Sequence, residues 1–127
     1  MEKRFYLGVT ILALLLAICI SAVIIMTLIH QPMETDLQEA AGLALSNDLE
    51  GALPLAQRAY DRWKKFHGIT ASFADHSPMD ETDTLFQEML VYGRTEELPH
   101  FAACCRELAV MTQAMYDAHV FSIKNFL

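Results

Sequence analysis

The residues of this chain best suited to chemistry are one histidine and three acids: His76, Asp80, Glu81 and Asp83. On a continuous helix, His76, Asp80 and Asp83 would lie at i, i+4 and i+7 and share one face. An imidazole and carboxylates so placed could bind a divalent metal ion. A metal site is not the simplest interpretation of these residues, and no metal ion is predicted. Pro78 favours a helix start with the acids near the positive end of the helix dipole, and the acidic surface could instead contact a partner.

A second candidate site, on a predicted helix, is a basic cluster beside a tryptophan that could bind a partner. Its members are Trp63, Arg58, Arg62, Lys64 and Lys65. A solvated helix face is the simpler interpretation, with Asp61 and Lys65 as an ion pair one turn apart. Trp63 is predicted to anchor the core of the domain, and a position at the centre of a binding surface is the alternative.

The motifs of common catalytic and cofactor sites are missing from the sequence. It has no glycine-rich phosphate loop, no G-x-S-x-G elbow and no H-E-x-x-H pair. His67, His100 and His119 are far apart and have no cysteine or acid at the spacing of a triad or a zinc site. We therefore predict that the protein is not an enzyme and needs no cofactor.

The cysteines do not form a disulfide framework. Cys104 and Cys105 are neighbours, and neighbours on a helix point about 100° apart, so a bridge between them would be strained. They fit two small apolar residues near a helix core, and a redox-active or intermolecular thiol is the alternative.

The chain that carries these residues begins with a long apolar segment. Between Phe5 and Ile29 there is no Asp, Glu, Lys, Arg or His. As a helix this segment is about 37 Å long, enough to cross a hydrocarbon layer of about 30 Å with some tilt. A cleaved signal peptide would have a shorter apolar region, and a lipoprotein would have a small residue in place of Ile18 before Cys19. We predict an uncleaved transmembrane anchor at 5–29, with these two as alternatives.

Charge predicts the orientation of that anchor. Lys3 and Arg4 precede it, and no Lys or Arg follows it before Arg58. Because positive charge is retained in the cytoplasm, residues 1–4 are expected inside and residues 30–127 outside. Of the 9 Lys and Arg and 16 Asp and Glu in the chain, 7 and 15 lie in 30–127, a formal charge of −8. This acidic domain is not expected to bind nucleic acid or anionic lipid headgroups.

Residues 30–127 show helical periodicity without strand-like alternation, which predicts an all-α bundle of about four helices in two hairpins. Pro32 is expected to end the membrane helix and begin the next. Asn47 with Glu50 has the form of a capping box at the start of the second helix. Gly68 leaves open whether that helix is continuous. The predicted helices are Met33–Leu45, Leu49 to about Ala74, Ser77–Gly93 and Thr95–Asn125.

The order of these features resembles a family of short bacterial membrane proteins of the Gram-positive type, a domain family of unknown function. The resemblance covers nearly the whole chain. It rests on the basic start and single anchor, the segment 59–63 that ends in Trp63, the acidic segment 76–83 after a histidine, and the last segment, 122–127. It implies a plasma-membrane protein and no particular activity.

Together these features predict a membrane-anchored extracytoplasmic helical protein that is an interaction or accessory subunit of a membrane complex. Its expected partners are the lipid bilayer, through residues 5–29, and a protein in the membrane or a second copy of the chain. The small size, single anchor and helical hairpins favour this class. The alternative is an extracytoplasmic sensor or divalent-ion-binding module that uses the acids around His76.

Overall fold

The computed structural model describes residues 2–70 and 76–126, apart from the side chains of 69, 70, 76–79, 119, 122, 123 and 126. Within these ranges there are four helices and no strand. The helices are α1 (Glu2–Leu45), α2 (Leu49–Thr70), α3 (His76–Arg94) and α4 (Leu98–Phe126). The predicted all-α fold, with a long apolar N-terminal helix and a small helical bundle, is confirmed.

The first helix is continuous through Pro32, so the prediction that Pro32 ends the membrane helix is wrong. A proline inside a helix removes one backbone hydrogen bond and crowds the carbonyl one turn earlier. Here the flanking turns are held by packing, since Met26, Met33 and Leu37 are all buried on one side of α1. Those contacts outweigh the local cost, and the apolar N-terminal segment and the first helix of the bundle form one continuous helix.

The bundle is an up-and-down arrangement in which each helix packs against its neighbours in the chain, and α4 closes the ring against α1. Short turns make consecutive helices antiparallel. The most extensive packing is that of α1 with α2 and with α4, whereas α2 and α3 share the smallest contact of the four helix pairs. The second half of α1 therefore lies at the centre of the fold.

Small side chains on α1 and α2 allow these two helices to approach closely. The buried apolar residues of α1 and α2 are Met26, Met33, Leu37, Ala40, Ala41, Ala44, Ala52, Ala56, Ala59, Trp63 and Phe66. Their spacing of three and four residues is that of one helix face. On α2, Ala56 and Trp63 are buried, and Leu53 and Tyr60 are half-buried against the same core.

The two hairpin turns have the same backbone conformation. Asn47 and Glu96 both have a positive φ, 65° and 60°, in the left-handed region that asparagine tolerates better than glutamate. The amide of Asp48 donates to the Leu43 carbonyl at 2.8 Å. In the second turn the amide of Glu97 donates to the Tyr92 carbonyl at 2.9 Å. Both turns thus close a helix end in the same way before the next helix begins.

The two hairpins are structural repeats related by 49 positions, the separation of Asn47 and Glu96. The buried positions correspond across that interval. Ala40, Ala44, Ala52, Ala56 and Ala59 of the first hairpin match Met89, Gly93, Phe101, Cys105 and Leu108 of the second, and all ten are buried. The residue types differ in each of these five pairs. The repeat is therefore seen in the pattern of buried positions and not in the residue types.

Several helix ends differ from the prediction in detail. The carboxylate of Asp48 accepts a hydrogen bond from the Gly51 amide at 3.0 Å, so the cap of α2 is Asp48 and not Asn47. Thr95 does not cap α4, because its hydroxyl donates back to the Val91 carbonyl at 3.0 Å and α4 begins at Leu98. The question left open at Gly68 is answered, since α2 continues through it to Thr70.

Candidate membrane anchor and its junction with the bundle

The N-terminal part of α1 presents apolar side chains on all sides and is packed against almost nothing. Phe5, Leu12 and Ile18 are each more than three-fifths exposed. The most apolar stretch of α1 is 6% buried and has a mean hydropathy of 3.0. Exposure of so many large apolar side chains to water would be costly. Of the described helices, α1 is the one long and apolar enough to cross a membrane.

Packing against the bundle starts earlier than the predicted anchor ends. Met26 and His30 are each 2% exposed, so the last turn of the predicted 5–29 segment belongs to the bundle core. The part before the first buried residue, 5–25, is about 31 Å long as a helix and matches the hydrocarbon thickness without tilt. The bundle therefore begins directly at the end of the apolar segment, with no linker between them.

A polar junction, which we define as Thr27, His30, Glu34, Gln113 and Tyr116, joins α1 to α4 at this point. The ring of His30 stacks on Tyr116, with centroids 4.6 Å apart and planes inclined by 8°. The hydroxyls of Thr27 and Tyr116 are hydrogen-bonded to each other. Thr27 also donates to the Val23 carbonyl, so Tyr116 is the donor in that pair. These contacts fix the register of α4 on α1.

The tautomer of His30 follows from its neighbours. Its Nε2 atom lies 2.9 Å from Gln113 Oε1 and 3.2 Å from Glu34 Oε2. The amide nitrogen of Gln113 donates to Asp117 at 2.9 Å, which turns the amide oxygen toward the imidazole. Both neighbours of Nε2 are acceptors, so Nε2 carries a proton. A buried imidazole is thereby satisfied by one residue of each helix.

A second polar contact, the Asp36 triad of Asp36, Arg58 and Arg62, joins α1 to α2. Asp36 is 3% exposed. Arg58 donates to both of its carboxylate oxygens, through Nε at 2.9 Å and Nη2 at 2.7 Å, and Arg62 donates to Oδ2. The hydrogen bond to Asp36, followed by its charge, raises the pKa of Arg58 above its ordinary value. Two arginines predicted as partner-binding residues are thus engaged within the chain.

Trp63 forms the aromatic centre of the core. It is fully buried, and its ring lies 5.8 Å from Phe86 at 22° and 5.7 Å from Phe66. The core interpretation of Trp63 is the one that agrees with this burial, and no part of its ring is open to a partner. Its indole Nε1 is buried and has no hydrogen-bond acceptor among the described residues.

The two lysines of the predicted cluster lie on the surface. Lys64 is 3.4 Å from an Asp61 oxygen and sits over the ring of Tyr60, 4.7 Å from its centroid. Lys65 is exposed. Asp61 was expected to pair with Lys65 but pairs with Lys64 instead. The contact with the Tyr60 ring holds Lys64 on the side of α2 where Asp61 lies. Lys65 keeps its side chain free of the core and is the member best placed for an external contact.

The acids of the first candidate lie along α3. His76 begins α3, but its side chain lies outside the described residues. Asp80 and Glu81 are exposed, and Asp83 accepts a hydrogen bond from Gln87 at 3.0 Å. No group of three His, Cys, Asp or Glu side chains close enough to hold a metal ion occurs in the described part of the chain. Asp80 and Glu81 border a groove of about 380 Å³ between α3 and α4, lined also by Glu88 and Glu107.

The two adjacent cysteines have different surroundings. Cys105 is fully buried, and its thiol lies 3.4 Å from the sulfur of Met89. Burial raises its pKa to about 12, and burial also raises the pKa of Cys104. Both thiols are therefore protonated at neutral pH, which is the state expected of cysteines that pack and do not react.

Sequence reasoning identified the arginines of the Asp36 triad but not their acid, nor any residue of the polar junction. His30 has a visible signal, since it directly follows the apolar segment and is followed one turn later by Glu34. Asp36 had one as well, because it lies between the apolar positions Met33, Leu37 and Ala40. A charged residue within a buried face points to a partner of opposite charge.

Comparison with known proteins gives no match to a family model, to a curated protein or to a solved structure. The resemblance to Gram-positive membrane proteins accordingly stays a prediction.

Proposed function

We propose that this chain is a single-pass plasma-membrane protein whose helical bundle stands directly on the bilayer as an interaction or accessory subunit of a membrane complex. One observation carries the proposal: the exposed apolar part of α1 continues, without a break at Pro32, into the buried centre of the bundle. A flexible linker would uncouple the two parts. A continuous helix makes the orientation of the bundle follow that of the anchor.

The junction between the two parts supports this arrangement. Met26 directly follows the exposed Ile25 and packs into the bundle, and His30 does so one turn later. Two polar contacts, one with α4 through His30 and one with α2 through Asp36, then hold α1 on both sides. Such a rigid mount suits a subunit that positions a partner relative to the membrane, and it is not needed for a domain that is merely tethered.

The positive charge of Lys3 and Arg4 favours a cytoplasmic amino terminus and an extracytoplasmic bundle. Because Cys104 and Cys105 are buried, new cysteines at exposed positions are better reporters of this orientation. Val110→Cys places a thiol on an exposed position of α4, and Glu2→Cys places one beside the anchor without altering its basic residues. In intact cells a membrane-impermeant maleimide should label Val110→Cys and spare Glu2→Cys. The reverse pattern would overturn the orientation.

Partner binding is tested by isolating the tagged full-length chain from mild detergent. A stoichiometric membrane protein should co-purify. Replacing residues 5–25 with an unrelated apolar segment of equal length keeps the membrane location but changes every anchor side chain. Loss of the partner from this variant would place recognition in the membrane, whereas loss from Lys65→Glu would place it on the bundle. A chain that purifies alone from native membranes in both the wild-type and variant forms contradicts the accessory-subunit role.

A further inference from the structure

The register of α4 against α1 places the end of α4 beside the apolar segment. Tyr116 meets Thr27, and three residues earlier Gln113 meets His30. The two helices are therefore antiparallel, and each residue of α4 after Tyr116 lies about 1.5 Å farther toward the anchor. Because α4 continues to Phe126, its last ten residues run alongside residues of α1 that precede Thr27.

The surface of α1 agrees with this placement. Cys19, Ala22 and Val23 are half-buried and Met26 is buried, at spacings of three, one and three residues on one face. Most of the apolar segment around them is exposed, including Ile24 and Ile25. Another part of the chain therefore covers one face of α1 on the amino-terminal side of the bundle. The antiparallel register places the last turns of α4 next to that face.

A large apolar side chain is exposed on this part of α4. Phe121 is 65% exposed and Val120 is half-buried. By the register, Phe121 lies about 7 Å past Tyr116, at the depth of residues 22–23 of α1. The exposed ring of Phe121 on α4 and the exposed Ile24 and Ile25 on α1 therefore lie at a similar depth. They form one apolar surface that extends over both helices.

The one charged residue after Asp117 is compatible with an apolar environment. Lys124 is exposed. Helical side chains tilt toward the helix amino terminus, which for α4 is the direction away from the anchor and toward the bundle. The long side chain of Lys124 can therefore reach toward the headgroups while its methylene groups stay in the lipid.

We propose that the last turns of α4, from Val120 to Phe126, insert into the same bilayer as α1 and contact lipid directly. The chain would then hold the membrane through two helices of unequal depth, and the polar junction would lie at the level of the headgroups. This inference rests on the proposed membrane anchoring of α1, because the depth of α4 is measured from it. The occupant of the apolar surface around Phe121 is lipid and not a second protein.

Tryptophan fluorescence of the full-length chain in phosphatidylcholine vesicles tests the proposal. Phe121→Trp adds a reporter at the proposed lipid contact, and Val110→Trp adds one at a 70% exposed position of the same helix on the bundle. Wild type supplies the background of Trp63. Vesicles with bromine on the acyl chains should remove most of the added emission of Phe121→Trp and none of that of Val110→Trp, whereas aqueous iodide should do the reverse.

The outcomes separate this proposal from the anchoring on which it rests. If the protein does not float with the vesicles, the anchoring is wrong and the insertion of α4 with it. If it floats but iodide quenches Phe121→Trp, only the insertion is wrong. If neither quencher reduces the emission of Phe121→Trp, protein covers the site, and the proposed insertion of α4 is again wrong. Should Phe121→Trp fail to fold, Asn125→Trp is a second exposed reporter on the same turns.

Discussion

His30 and Tyr116 stack face to face across the junction of α1 and α4, with their ring centroids 4.6 Å apart. The pair lies where the exposed apolar part of α1 becomes the buried part. It therefore stabilises the bundle at the level where the bundle meets the proposed membrane surface.

Replacing His30 with alanine should destabilise the bundle by about 2 kcal/mol, because it removes the stack and the hydrogen bond to Gln113. Thermal unfolding of the full-length chain in detergent, followed by circular dichroism, measures this loss. Tyr116→Phe is the matched control. It keeps the stack and removes only the hydroxyl contact with Thr27, so its loss should be about 1 kcal/mol. Equal melting of His30→Ala and wild type would contradict a role for the junction.

The Asp36 triad predicts an order of effects. Asp36→Asn should lower the melting temperature most, because it leaves two guanidinium groups without their carboxylate. Arg62→Gln should have the larger effect of the two arginine variants, since the Arg62 side chain is 30% exposed and that of Arg58 is 56%. Added salt should reduce the effect of Arg58→Gln most. The prediction fails if Arg58→Gln is the most destabilising of the three.

Trp63→Ala should cost about 3–5 kcal/mol, a large part of the stability of so small a bundle. Its ring is fully buried against Phe66 and Phe86. Trp63→Phe should cost much less, because an aromatic ring remains. The substitution removes no hydrogen bond, since the indole nitrogen of Trp63 has no acceptor among the described residues. Cooperative unfolding of the full-length chain in detergent separates the two. A melting temperature for Trp63→Ala near that of wild type would show that the tryptophan is exposed and would return it to the candidate partner surface.

The helices and their buried faces were predictable because they depend on periodicity, which is local. Pro32 was misjudged because its intrinsic cost is local, while the packing of Met26, Met33 and Leu37 that outweighs it is not. The cap of α2 was displaced by one residue because Asn47 takes the left-handed conformation and leaves the capping position to Asp48. The first error arose where tertiary packing outweighs a local cost, and the second where two neighbouring residues of suitable type compete for one position.

The candidate site was less predictable than the fold. The arginines were identified from their clustering, but their partner Asp36 lies 22 residues before Arg58, on another helix. The polar junction joins residues separated by more than 80 positions. Periodicity assigns a residue to a face and does not say which helix covers that face. The pairing of α1 with α4 had to be known before His30 and Tyr116 could be connected.

Cys105 should make the stability of the bundle depend on pH in alkaline solution. Its pKa is about 12 in the folded chain against 9.0 for an ordinary thiol, because burial disfavours the thiolate. Folding thus favours the protonated form. The contribution is fully present below pH 9 and is lost as the pH rises from 9 toward 12, by up to about 1.4 kcal/mol per pH unit.

The matched control is Cys105→Ala. Lysines and tyrosines titrate in the same pH range, and their contribution cancels when the pH dependence of the variant is subtracted from that of wild type. Urea unfolding in detergent at pH 8 and pH 10 should show a larger loss for wild type than for Cys105→Ala, although the variant is less stable at pH 8 because it leaves a small cavity. At pH 8 a maleimide should label Cys105 only after denaturation, because almost no thiolate is present in the folded chain. Two results would contradict this prediction: rapid labelling of Cys105 in the folded protein, and a stability that depends on pH equally in wild type and in Cys105→Ala. Together they would show that this thiol is open to solvent and available for reaction.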